Sequence, residues 1–114
     1  MAAAARGLVA RYDDLVEVVA DSDHKLVFGC PSRLVGGHMF FGVHATGLFL
    51  RLGDDDAAEL LAAGGGRFEP MPRRAMGGFY VLPAHLPDQE GWVRRSYEHA
   101  RSLPPKTRRR ASSG

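Results

Sequence analysis

Between Arg33 and Leu52 the chain reverses direction twice, over Gly36-Gly37 and over Ala45-Thr46-Gly47. A glycine pair meets the positive dihedrals of a tight hairpin turn. A parallel crossover would need about a dozen residues or more, so the flanking strands are antiparallel. His38 to His44 returns on Leu34-Val35, and in the strand that follows Leu48, Leu50 and Leu52 alternate with Phe49 and Arg51. That alternation puts three leucines on one face of the sheet. A meander with one apolar face requires a layer of helix to cover it.

The rest of the chain supplies that cover. Leu8, Tyr12, Leu15, Val16 and Val19 recur at helical spacing between Leu8 and Ala20, with Arg11, Asp13, Asp14 and Glu17 largely filling the other positions. Leu26 to Phe28 reads as a short strand that ends at Gly29-Cys30-Pro31. Asp54, Asp55 and Asp56 supply the N-cap and first-turn carboxylates of a second helix carrying Leu60 and Leu61 and stopping at Gly64-Gly65-Gly66. Arg67 to Glu69 and Gly77 to Leu82 read as two more strands. Pro87-Asp88 opens a last helix striped by Trp92, Val93, Ser96, Tyr97, Ala100 and Leu103, which Pro104-Pro105 terminates. The expected fold is α+β in two layers: an antiparallel sheet of about five strands, ordered α-β-β-β-α-β-β-α, with covering helices.

A chain of 114 residues builds one domain with a modest core. Its net charge of +2 comes from 15 basic against 13 acidic residues. Four of the basic groups, Lys106, Arg108, Arg109 and Arg110, fall in the last eleven residues, which hold no acid; residues 1–103 therefore carry eleven basic and thirteen acidic groups, a net of −2. The body is mildly acidic, and any contact with nucleic acid is expected to be weak, non-specific and borne by those four side chains. We expect a single domain over residues 1–103 and a disordered basic tail over 104–114. The longest uncharged run, Leu34 to Leu50, has 17 residues including two histidines and four glycines. It falls short of the ~20 apolar residues of a membrane helix. With one cysteine and no secretory leader pattern, the expected compartment is the cytoplasm.

Several ordered blocks of this sequence, taken together, resemble the N-terminal domain family of TfoX-type competence regulators. They are Leu26-Val27-Phe28-Gly29-Cys30-Pro31, Leu34-Val35-Gly36-Gly37-His38-Met39-Phe40-Phe41-Gly42-Val43-His44, Leu48-Phe49-Leu50-Arg51-Leu52, Phe68-Glu69-Pro70-Met71-Pro72, Met76-Gly77-Gly78-Phe79-Tyr80-Val81-Leu82-Pro83 and Trp92-Val93. The likeness runs from about Leu8 to Lys106. It implies a secretion-chaperone-like two-layer fold, a small bacterial cytoplasmic protein, and no catalytic residues to carry over. The family's full regulators carry a second, helical C-terminal domain, and this chain is expected to act without one.

Residue types nominate few sites. Cys30, His38 and His44 are the candidates for a functional surface. As metal ligands they fail on spacing: His38 and His44 lie six residues apart on one strand, about 20 Å at ~3.3 Å per residue, and paired-ligand motifs are missing. We therefore expect no metal and no other cofactor. Cys30 activated by a histidine is the one enzyme candidate, against the plainer reading of a small buried residue at a bend. Gly64-Gly65-Gly66 follows a helix, so it is no phosphate loop. The Asp54 to Asp56 run lacks calcium-loop spacing. Phe40, Phe41, Phe49, Phe68, Phe79, Tyr80 and Trp92 are assigned mostly to the core, because a base-stacking platform calls for a basic body. What remains is a small non-catalytic interaction or regulatory module. It would bind a protein partner or itself through a sheet edge or an apolar groove, with a Cys30 thiol enzyme or a tail-borne nucleic-acid binder as the alternatives.

Overall fold

The computed structural model describes residues 6–27, 29–71 and 73–105. Helix α1, Arg6–Val16, runs into a 3-10 turn, Glu17–Val19; four strands follow, β1 Asp23–Val27, β2 Cys30–Val35, β3 His38–His44 and β4 Gly47–Arg51. Then come α2, Asp54–Ala62, two strands, β5 Gly66–Arg67 and β6 Phe79–Leu82, and α3, Gln89–Ser102. The six strands form one open antiparallel sheet in the order β1-β2-β3-β4-β6-β5.

The class is the one expected, with one strand more. Two strands, β1 and β2, precede the Gly36-Gly37 turn where the sequence pattern suggests a single strand and a bend. Proline is rare inside sheets because it donates nothing to the ladder. Pro31 is tolerated as the second residue of β2, opposite Leu26 of the edge strand. The N-cap of α2 also differs from expectation: Gly53 occupies it with no side-chain cap, and Asp54, Asp55 and Asp56 all lie in the first turn. Their charge still favours the helix through its dipole. Asp56 is in addition 3.3 Å from Arg95 of α3, whose guanidinium lies over the Trp92 ring.

The turns follow their glycines, with Gly36 at φ 59° and Gly37 at φ 81°. Along β4 and one residue beyond it, Leu48, Leu50 and Leu52 join the core beneath the helices, together with Tyr12 and Leu15 of α1, Leu60 of α2 and Val93 of α3. On β3 the strict alternation breaks. Arg33 pairs with Phe41 but Leu34 pairs with Met39, which leaves Phe40 as the extra residue of a β-bulge. A bulge turns two successive side chains to the same face. Phe40 and Phe41 are both completely buried in the helix-side core, Phe40 edge-on to Tyr97 and Phe41 against Tyr12.

Tyr12 brings a polar atom into this core. Its hydroxyl is buried without a hydrogen-bond partner among the described residues, and burial pushes its pKa up to about 12, opposed in part by Arg33. A raised acid pKa gives stability that is complete below the unfolded value of 10.0 and lost as pH climbs toward 12. Tyr12→Phe removes the unmet hydroxyl. The variant is expected to match or exceed the native domain by about 0.5–1 kcal/mol at neutral pH and to lose less stability between pH 10 and 12, as read by urea denaturation at each pH.

Candidate functional site

The sheet's second face is apolar as well, which the expectation of one apolar face did not provide for. The strand residues that point away from the helices include Met39 of β3, Phe49 of β4, and Phe79 and Val81 of β6; with Phe68 and Met76 they form a second, smaller cluster. No helix covers it. The chain after β5 folds over it instead, held by backbone bonds from Phe68 N to Phe79 O (3.1 Å), Met76 N to Phe68 O (2.8 Å) and Arg74 N to Met71 O (3.0 Å). Phe68 lies flat on Phe49, centroids 4.3 Å apart with planes 9° from parallel.

Gly42 gives the Phe49 ring its seat. A Cβ at this position would lie 2.7 Å from Phe49 Cε2 and 2.9 Å from Pro31 O. Gly42→Ala is therefore expected to cost about 1–3 kcal/mol by overpacking and to unseat the Phe49–Phe68 stack. Near-ultraviolet circular dichroism and urea denaturation check the two effects.

Between this face and its roof is a cavity of about 380 Å³. Cys30, Met39, His44 and Phe49 form its floor, Phe68, Pro70, Met71 and Met76 its roof, with Val27 at the β1 side. Its walls are apolar almost throughout. The exception in chemistry is His44, 7% exposed. Its Nδ1 accepts the Thr46 backbone N–H at 3.2 Å, with Thr46 Oγ1 at 3.1 Å. A neutral imidazole carries one proton, so with Nδ1 accepting, that proton is on Nε2. The Nε2 atom is buried and has no hydrogen-bond partner among the described residues. Phe68 covers the imidazole, ring against ring at 5.3 Å and 79°.

Cys30 and His44 are therefore brought together. The register Arg33↔Phe41 and Ser32↔Gly42, carried two residues further, sets Cys30 opposite His44, and both line the cavity. Burial raises the Cys30 thiol above its ordinary value. His38 is at the far end of β3 and takes no part: its Nε2 donates to Pro104 O at 2.7 Å, strapping the hairpin to the chain beyond α3. Among the described residues no group of three or more His, Cys, Asp or Glu is placed to hold a metal ion. Lys106, Arg108, Arg109 and Arg110 lie outside the described residues. A second cavity of about 440 Å³, beside Arg11 and Gln89, has its polar walls engaged already: Arg11 Nε donates to Gln89 Oε1, and Gln89 Nε2 to Pro83 O and Ala84 O.

Met39, Phe49, Phe68 and Met76 were not legible as a site. As core aromatics, Phe49 and Phe68 are indistinguishable in the sequence. The available signal was Phe49 itself, which alternation places opposite the three leucines and so on a face that also needed a cover.

An open antiparallel sheet with helices on one face and a loop-roofed apolar cavity on the other places the molecule among α+β domains of the two-layer type. The chain belongs to the TfoX N-terminal domain family, whose model matches residues 14–100. No curated protein and no solved structure matches it. No helix among the described residues is long and apolar enough to cross a membrane.

Proposed function

We propose that this domain is a small non-catalytic regulatory module, working in the cytoplasm, whose recognition site is the cavity beneath Phe68. The cavity itself carries the reading. Protein interiors pack as densely as organic crystals, and a void of about 380 Å³ held open by a hydrogen-bonded loop lowers stability with no structural return. Apolar walls with one polar group are the usual composition of a small-molecule site. The roof also carries Met71, which lines the cavity and is 61% exposed, and Arg73, held at φ 63°. Occupancy that shifts the roof therefore alters a surface that a partner protein can read.

The placement of Cys30 and His44 on one cavity brings the thiol-enzyme alternative forward, and its chemistry counts against it. A nucleophilic cysteine needs a lowered pKa and an adjacent base. Burial moves this thiol the other way, and His44 with Nδ1 engaged by Thr46 presents a proton donor. Alkylation by iodoacetamide separates the two. Cys30 is expected to react at least about tenfold more slowly than a peptide cysteine at pH 7.5, with a rate still rising above pH 9. Fast alkylation with a midpoint near pH 7 would overturn the non-catalytic reading.

A further inference from the structure

We propose that the roofed cavity binds an uncharged, largely apolar small molecule bearing a single hydrogen-bond acceptor, with His44 Nε2–H as the group that receives that acceptor. The inference rests on the cavity being the recognition site and adds the chemistry of what enters it.

Three observations define the ligand. The first is the wall: three methionines, Met39, Met71 and Met76, and the stacked Phe49 and Phe68. Thioethers adapt to the shape of an apolar guest and pack well on aromatic rings, so the body of the ligand is aromatic or aliphatic. The second is the absence of Lys, Arg, Asp and Glu from the described residues lining the cavity. A charged head inside would be stripped of water with nothing to pair it, which selects a neutral molecule. The third is His44, more than nine-tenths buried, with Nδ1 committed to Thr46 and Nε2 left without a partner among the described residues. A buried donor with no acceptor is costly, and a carbonyl brought in by the ligand removes that cost. One donor calls for one acceptor, so a ketone, ester or tertiary amide fits where a sugar or polyol does not.

Phe68 decides access. Its ring covers the imidazole from the roof segment and not from the sheet. With the imidazole against that ring and Nε2 buried, a ligand that reaches Nε2 displaces Phe68, and binding therefore moves the roof.

The test uses the whole chain and three probes of one shape: 2-acetylnaphthalene, 2-ethylnaphthalene and 2-naphthoate. Binding is read by calorimetry and by the methyl resonances of Met39, Met71 and Met76. The ketone is expected to bind about tenfold more tightly than the ethyl compound, the size of effect one neutral hydrogen bond produces, and to shift the His44 Nε2 resonance. Naphthoate is expected to bind more weakly than the ketone. In His44→Phe the preference of ketone over ethyl compound is expected to vanish while both still bind. The comparison within the native protein stands even if that variant fails to fold. Equal affinity for ketone and ethyl compound would overturn the role of His44 and leave the cavity as a recognition site. No binding by any probe, with unmoved methionine methyls, would overturn the ligand class, whereas rapid neutral-pH alkylation of Cys30 is the separate result that defeats the non-catalytic reading.

Discussion

Phe40→Ala is expected to destabilise the domain by about 3–5 kcal/mol, the usual cost of truncating a fully buried phenylalanine. Phe40 is the bulged residue of β3, has no exposed surface, and packs its ring edge-on against Tyr97 at 5.5 Å. A domain of this size has about 5–15 kcal/mol in total. The variant should therefore lose a large share of its stability, seen as a urea midpoint well below that of the native chain. The same substitution at a half-buried position such as Tyr80 should cost much less, which checks that the loss comes from the bulge and its packing.

Ser96→Ala is expected to cost about 2–3 kcal/mol, far more than removing one hydroxyl from a helix surface. Ser96 is completely buried. Its Oγ donates to the carbonyl of Phe40 at 2.6 Å and accepts the backbone N–H of Arg51 at 3.2 Å. One side chain of α3 thus bridges the bulge of β3 to the end of β4. Alanine leaves two main-chain groups facing an apolar core, and each unmet group carries a penalty. Urea denaturation should show the loss with little change in slope, and amide exchange at Arg51 should quicken before that of its neighbours. If the midpoint barely moves, the bridge contributes no stability.

Both residues show where reading the chain succeeds and where it stops. Ser96 belongs to the stripe that helical spacing assigns to the buried face of α3, and it is buried. Nothing in its neighbourhood says that it closes a gap 56 residues away at Phe40. Phe40 and Phe41 would face opposite sides of a regular strand, and only the slip in register against β2 puts both under the helices. The candidate site divides in the same manner. Cys30 and His44 stand out by residue type, yet their meeting across two strands depends on the β2–β3 register, and His38, equally prominent in sequence, goes to Pro104.

By itself the sequence determined what local physics controls: the helices through their 3.6-residue stripes, the hairpins through glycines that accept positive φ, the leucine face of β4 through its period of two, and the stop of α3 ahead of Pro104. Tertiary structure alone decided the features that depend on distant segments meeting. It inserted β6 between β4 and β5, admitted Pro31 into a paired strand, placed the bulge at Phe40, and laid Phe68 over Phe49 so that a second apolar face became a cavity. Local patterns state which side of an element is apolar. What covers that side is settled by packing between segments far apart in the chain, where the register and fit of side chains carry no mark in the stretch of sequence that supplies them.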